Sequence, residues 1–226
     1  MEKLNTNLEK DRFQDLTILS VLWLLIWTCC IYLIPAGSSG RNHTLIVNGI
    51  HGGVCTLVAV CTLYWNWTTT NSIAVTLSYF IVDLLAMIQS DGIKNIVKLR
   101  LSRLMDYLHH ILGVVWGIIF FIQENSICDS TLGNPYVWMQ TNEISTIFYN
   151  WFRLTNSNVA AVLFASSFFC SRIVFNTLYL VPRFLGECDV RYLYACMPFF
   201  VLQYAWFVMI VRKITRMFGF QRRKQN

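Results

Sequence analysis

The chain has 226 residues, of which 55% are hydrophobic and 13% are charged, whereas soluble domains carry about 25% charged residues. This composition excludes an ordinary soluble domain and indicates an integral membrane protein. The formal net charge of +6 comes from the chain ends and one internal loop, so it favours contact with anionic lipid headgroups and not with nucleic acid.

Stretches of about 20 apolar residues are long enough to cross a bilayer, and seven such stretches follow one another along the chain. We therefore predict an all-α polytopic membrane protein with about seven transmembrane helices. They cover residues 16–34, 45–65, 71–88, 104–122, 136–154, 159–181 and 192–211. The fifth span is the weakest because Gln140, Asn142, Glu143 and Asn150 dilute it. A buried or re-entrant segment is the alternative there.

The spans divide the chain into a polar N-terminal segment (1–15), a first helix with its linker (16–40), a main helical domain (41–213) and a basic tail (214–226). Most Lys and Arg residues fall on the side of the membrane that carries this tail. Because cytoplasmic loops retain positive charge, we predict an exoplasmic N-terminus and a cytosolic C-terminus. The last four residues, RKQN, are similar to an endoplasmic reticulum retrieval signal, and a merely basic tail is the alternative.

Two of the eight cysteines fall outside the predicted spans. The topology places Cys128 and Cys188 in exoplasmic loops, where oxidation is permitted, and we predict one disulfide bond between them. The other six cysteines lie inside spans without a CxxC spacing, so we expect them to be small buried apolar groups.

The second and third spans carry polar groups on one side. A lone intramembrane histidine such as His51 more often packs or hydrogen-bonds than catalyses. In the third span, Tyr79 and Asp83 belong to a polar stripe opposite Ile81 and Leu85, so Asp83 should point into the protein. The loop that follows is positioned to bind phosphates of lipid headgroups or of an acyl carrier. Its basic residues are Lys94, Lys98, Arg100 and Arg103.

The fourth span places ionisable groups in an otherwise apolar helix. Asp106, His109 and His110 share one helical face with Gly113 and Gly117. Ionisable groups are costly in a bilayer, so they should face protein or a water-filled cavity, which makes them a functional-site hypothesis. The two glycines also form a spacing that usually means close helix packing and nothing more.

The fifth and sixth spans contribute further polar residues. Glu143 and Asn150 lie on one side of the fifth span, and Arg172 and Asn176 on one face of the sixth. An unpaired arginine at this depth is costly, so Asp83 or Glu143 is the predicted partner of Arg172. An ion pair that only fixes helix register is the alternative interpretation.

The order of these elements resembles the TLC domain. In chain order these elements are His51, SYFIVDLL (78–85), MDYLHHILG (105–113), NEISTIFYNWF (142–152) and Arg172. Translocating-chain-associating proteins, ceramide synthases and small TLC-domain-containing proteins share this domain, and the likeness is strongest to the small proteins of the protein 4 type. It covers about residues 44–213. The resemblance implies six helices in a barrel around a central tunnel, an additional first helix, and an endomembrane location.

The resemblance also implies work on lipids in that tunnel. The expected ligand-binding residues are His51, Tyr79, Asp83, Glu143, Asn150, Arg172 and Asn176. In ceramide synthases the paired histidines are catalytic, and the matching positions here are His109 and His110. A neutral imidazole could take the proton from an amine or hydroxyl that attacks an acyl thioester, with Asp106 or Asp83 orienting it.

The synthase motif continues after the histidines into a His-Asp pair and further aspartates, which the residues after Gln123 lack. We therefore expect a protein that binds or handles membrane lipid and influences lipid composition. The first alternative is a lipid acyltransferase with acyl-CoA as co-substrate, and the second is a trafficking protein with protein cargo. No cofactor or metal is expected, although such sets of histidines and acids suit iron or zinc. A homo-oligomer is compatible with each hypothesis.

Overall fold

A computed structural model of the chain describes residues 2–32, 40–123, 128, 132 and 134–225. Within these ranges the chain is helical, and six helical stretches are long and apolar enough to cross a membrane. The protein is therefore an all-α polytopic membrane protein. The six stretches are Asp11–Tyr32, His43–Trp65, Thr69–Asp91, Leu101–Ile122, Asn158–Glu187 and Val190–Arg216.

The helices in chain order are α1 (Glu2–Tyr32), α2 (Gly40–Trp65), α3 (Thr69–Asp91), α4 (Leu101–Ile122), α5 (Pro135–Gln140), α6 (Ile144–Thr155), α7 (Asn158–Phe168), α8 (Val181–Glu187) and α9 (Val190–Gln225). A 3-10 turn, Ile93–Lys98, precedes α4, and another, Thr141–Glu143, joins α5 to α6. Two π-helical segments, Phe169–Val174 and Asn176–Leu180, join α7 to α8, so that these elements form one continuous helix.

Several helices begin or end where the sequence supplies a capping residue. The Thr68 side chain accepts a hydrogen bond from the backbone N–H of Asn71 at the start of α3. Gly92 stops the same helix with a φ of 76°, a conformation that favours glycine. Asn134 caps α5, where Pro135 takes a first-turn position at which its missing N–H costs nothing.

Some predicted boundaries differ from the observed helices. The segment 1–15 is helical from Glu2 and continuous with the first span, and α9 continues to Gln225 through most of the predicted tail. Residues 33–39 of the predicted linker, and the side chains of the retrieval-like ending, lie outside the described residues.

The fifth predicted span is a broken helix made of α5, a 3-10 turn and α6. The break coincides with its polar residues, and this segment is not among the six long apolar helices. It approaches α2 closely because Gly52 has no side chain. A Cβ at Gly52 would lie 2.9 Å from the carbonyl oxygen of Glu143, whereas one at Gly53 would meet only Ile147 Cδ1 at 3.7 Å.

Helix α1 packs on the outside of α3. Trp27, which is 1% exposed, donates from its indole Nε1 to the carbonyl oxygen of Val75 at 3.2 Å. Ser78 Oγ donates to the carbonyl oxygen of Ser20 at 3.1 Å. These contacts hold α1 against the rest of the helices.

The two ends of the helical bundle differ in character. At one end, called here the disulfide end, Cys128 and Cys188, the pair expected from the sequence, are joined by a disulfide bond. An apolar cluster that includes Phe120, Tyr136 and Phe184 fills the neighbouring space. At the opposite end, called here the basic end, α3 finishes, α4 begins and α6 finishes, and α9 passes alongside them.

Candidate functional site

A chamber of about 1050 Å³ lies between the helices. Its walls come from α2, α3, α4, the Thr141–Glu143 turn with α6, α7 with the first π segment, and α9, and no described residue of α1 lines it. Six chain segments therefore surround the chamber, with the first helix outside. Its polar floor is formed by His51, Asp83, His109, His110, Glu143 and Arg172.

His110 is held by two oxygen acceptors. Its Nε2 lies 2.8 Å from Asp83 Oδ2, and its Nδ1 lies 2.8 Å from the backbone carbonyl oxygen of Asp106. Both contacts are satisfied when both ring nitrogens carry a proton, which makes His110 a cation paired with the Asp83 carboxylate. Both ring nitrogens of His110 are thus engaged, which makes it a poor candidate for a general base.

Of the two acids predicted to orient a histidine, Asp83 does so with its carboxylate and Asp106 does not. Its side chain is half-buried and lines the chamber, but its contact with His110 is made by the backbone carbonyl. The physical reason is helical geometry, since a residue four positions earlier presents its carbonyl to the following turn. The carboxylate that engages His110 belongs to Asp83 on the neighbouring helix.

His109 is in the opposite situation. Its Nδ1 is buried without a hydrogen-bond partner, and its Nε2 lies 3.7 Å from Glu143 Oε1, which is too long for a hydrogen bond. The ring packs edge-on against Phe80, with centroids 5.3 Å apart, and against Trp206 at 5.2 Å. His109 therefore keeps an unused ring nitrogen in a residue that lines the chamber.

Arg172 sits in a π-helical turn, a feature common at functional sites, and almost all its donors are used. Its Nη2 donates to Glu143 Oε1 at 3.0 Å and to Thr146 Oγ1 at 3.2 Å. Its Nε donates to Ser145 Oγ at 2.8 Å, and its Nη1 to Gln203 Oε1 at 3.0 Å. Of the two partners proposed from the sequence, the arginine pairs with Glu143.

His51 forms one side of a stacked pair on the chamber floor. Its ring lies 3.4 Å from that of Tyr79 at an interplanar angle of 9°. His51 Nε2 is 2.9 Å from Cys55 Sγ, which is 3.0 Å from Thr76 Oγ1. Tyr79 Oη donates to Asn48 Oδ1 at 2.5 Å. The interpretation of His51 as a packed, hydrogen-bonded group accounts for these contacts.

The chamber reaches the basic end, where its rim carries three cationic side chains and two acids, Asp91 and Asp106. Arg103 Nε lies 2.8 Å from Asp91 Oδ2, and the Lys213 ammonium lies 4.8 Å from the centre of the Phe152 ring. The exposed side chain of Arg153 donates to Tyr149 Oη at 2.5 Å. The rim is therefore net positive and suited to an anionic group.

Most predicted site residues meet at the chamber. Asn176 does not line it, because its side chain donates to the backbone oxygen of Arg172 at 2.8 Å and so supports that residue from behind. Of the predicted phosphate-binding residues, only Arg103 belongs to the chamber. Lys94, Lys98 and Arg100 are exposed outside it.

Among the chamber residues that the sequence interpretation did not assign to the site, three matter most for its chemistry. Arg153 and Lys213 lie on the rim, and Phe80 lies among the histidines. A signal for Phe80 was present, because it follows Thr76 by four residues and precedes Asp83 by three, which places it on the same polar stripe.

No cluster of three or more His, Cys, Asp or Glu side chains suited to a metal ion occurs among the described residues. The carboxylates on the floor are instead occupied by His110 and Arg172. The fold and the chamber define a multi-pass helical membrane protein with an internal, partly charged cavity. No family model, curated protein or solved structure matches the chain.

Proposed function

We propose that this protein is a TLC-type, multi-pass endomembrane protein that holds an anionic amphiphilic lipid in its chamber and thereby influences membrane lipid composition. The observation that carries the proposal is the chamber of about 1050 Å³ with a cationic rim, a volume at the upper end of the range typical of small-molecule sites. The charge distribution favours an orientation with the basic end in the cytosol. The resemblance to the TLC domain and the retrieval-like ending favour the endoplasmic reticulum as the location.

The chamber walls match the two parts of such a ligand. Helices α7 and α9 supply an apolar wall with Phe164, Phe168, Trp206, Met209 and Ile210. Helices α2, α3, α4 and α6 supply the polar wall opposite. An alkyl chain can lie against the first wall while an anionic headgroup stays at the rim, where each nearby Lys or Arg contributes about 1 kcal/mol.

Photo-crosslinking tests the binding proposal. A photoreactive phosphatidic acid in nanodiscs should label chamber peptides of the wild-type protein. Lys213→Gln and Arg153→Gln should each lower labelling about fivefold, because each removes about 1 kcal/mol of headgroup attraction. The measurement is the labelled fraction at a range of lipid concentrations, with the site of labelling mapped by mass spectrometry.

The matched controls are Lys94→Gln and Lys98→Gln, which remove the same charge from exposed positions outside the chamber. Both should leave chamber labelling unchanged. Equal losses in all four variants would reveal general attraction to a basic surface. A further variant, Asp83→Asn, changes the chamber floor. If labelling is the same in this variant and in both rim variants as in the wild type, the proposal is refuted.

A second candidate function is acyl transfer from acyl-CoA to a lipid amine or hydroxyl. The observation that favours it is the unpartnered Nδ1 of His109. In this reaction the attacking nitrogen or oxygen bonds to the acyl carbon and gives its proton to His109, and the CoA thiolate leaves. Glu143, 3.7 Å from the other ring nitrogen, would stabilise the imidazolium that forms.

Acyl transfer can be measured with the purified protein in nanodiscs, given radiolabelled acyl-CoAs and long-chain bases. We expect His109→Ala to lower the rate about 10²-fold to 10⁴-fold, the usual contribution of a general base, while Arg183→Gln, near the disulfide end and away from the rim, keeps it. If the wild-type protein forms neither product nor acyl adduct with the panel, acyl transfer is excluded and lipid binding remains.

A further inference from the structure

A second, smaller cavity lies beside the chamber floor toward the disulfide end. We call it the inner pocket; it measures about 30 Å³, enough for about two water-sized groups. It shares three lining residues with the chamber, namely Phe80, His109 and Glu143. The two spaces are therefore neighbours, with these side chains at their junction.

The inner pocket continues the apolar wall of the chamber. Phe199, on the same helix as Trp206, lines it together with Leu112, Trp116 and Met139. The His109 ring spans the junction, with its centroid 6.1 Å from that of Phe199 and 5.2 Å from that of Trp206. An alkyl chain that follows α9 from the rim is therefore directed past His109 toward the inner pocket.

Phe80 stands at the junction because of a glycine on the facing helix. A Cβ added at Gly113 would overlap the Phe80 ring, so the ring can take this position only against glycine. The ring also meets His109 and His110 edge-on, with centroids 5.3 Å and 5.1 Å away. Packed on three sides, Phe80 is a fixed part of the wall at the junction and not a loose side chain.

We propose that the inner pocket receives the end of the ligand's alkyl chain and that Phe80, seated on Gly113, sets the longest chain that fits. This inference rests on the proposed lipid-binding function and adds a specificity-determining residue to it. Replacing the ring with a smaller side chain enlarges the space at the junction and in the inner pocket, which both Phe80 and His109 line, and lengthens the room available to the chain.

The experiment uses saturated alkyl phosphates of increasing length as competitors of the photoreactive phosphatidic acid, with the full-length protein in nanodiscs. For the wild-type protein, affinity should rise about fourfold with each added methylene that becomes buried and level off once the inner pocket is full. For Phe80→Ala, the rise should continue by at least one further methylene, with about fourfold higher affinity than wild type at that length.

Two further variants make the result decisive. We call the chain length at which affinity levels off the break. Phe80→Leu removes less volume than Phe80→Ala, so it should move the break in the same direction by a smaller amount. It also provides the test if Phe80→Ala does not fold. Phe152→Ala is the matched control, because Phe80 and Phe152 are both 5% exposed and both line the chamber, but Phe152 lies near the rim. It should leave the break at the wild-type length even if all affinities change.

The outcomes separate the two proposals. If the wild-type protein binds the phosphates and the break stays at the same length in both Phe80 variants, the role of Phe80 is refuted while lipid binding stands. A break that moves equally in Phe152→Ala also refutes it. If no alkyl phosphate competes at any length, the proposed lipid binding fails and this inference fails with it.

Discussion

Arg172→Met destabilises the protein by about 3–5 kcal/mol, because it leaves the Glu143 carboxylate buried without its counter-charge. Arg172 and Glu143 are 4% and 6% exposed, and their side chains meet at 3.0 Å. The substitution also leaves Gln203 and Ser145 without the donors they now accept from. The free energy of unfolding in mixed detergent micelles measures the loss.

Two variants identify the cause of that loss. Arg172→Met combined with Glu143→Gln should lose less than Arg172→Met alone, because the second change removes the unpaired charge, and contacting residues couple by about 0.5–3 kcal/mol. Arg183→Met is the control, since its half-exposed pair with Glu187 is expected to contribute at most about 1 kcal/mol. An Arg172→Met variant no less stable than Arg183→Met would contradict the assignment.

Removal of the disulfide bond is the second large effect. Cys128 and Cys188 are 60 residues apart in the chain, and closing a loop of that length restricts the unfolded chain by about 4 kcal/mol. Helices that persist in the unfolded state within a detergent micelle reduce this value, so we expect a loss of about 2–4 kcal/mol for Cys128→Ser with Cys188→Ser. Thermal unfolding with and without a reductant measures it.

Reduction should lower the stability of the wild-type protein to that of the double variant and leave the variant unchanged. Cys29→Ser with Cys170→Ser is the control, because both thiols are free and exposed. If a reductant lowers the stability of the variant that lacks Cys128 and Cys188 as much as that of the wild type, the stabilising bond is not the one between these two cysteines.

The sequence was informative where helical periodicity decides the structure. Asp83 and His110 were placed on inward faces from spacing alone, and the structure brings their side chains to 2.8 Å. Periodicity gives the face of a residue but not its neighbour across the chamber. This is why Asp106, one turn from His110, and Asp83 on another helix were both left as candidates to orient a histidine, and only the structure shows that Asp83 holds it.

The different roles of the paired histidines were also beyond the sequence. His109 and His110 are adjacent in the chain, and adjacent helical residues point about 100° apart. That rotation directs His110 to two acceptors and leaves His109 Nδ1 without one. The sequence shows the rotation, but only the packed neighbours decide which of the two rings has hydrogen-bond partners.

The basic residues at the chamber mouth illustrate a further limit. Lys94 and Lys98 stood out because they cluster in sequence, yet the 3-10 turn that carries them lies outside the chamber. Lys213 and Arg153 lie far apart in sequence and come together at the rim because α9 passes alongside the end of α6. Proximity between distant helix ends depends on their packing, which local sequence does not contain.

The π-helical segments explain an unusual spacing in the continuous helix from α7 to α8. Between residues 168 and 184 the buried side chains are Phe168, Arg172, Asn176, Leu180 and Phe184, one every fourth position. In an α-helix of 3.6 residues per turn, such a row would wind about 160° around the axis over this length. Wider π turns cancel that winding and keep the row straight, so a burial period of four residues is itself a signature by which a π-helical membrane segment can be recognised.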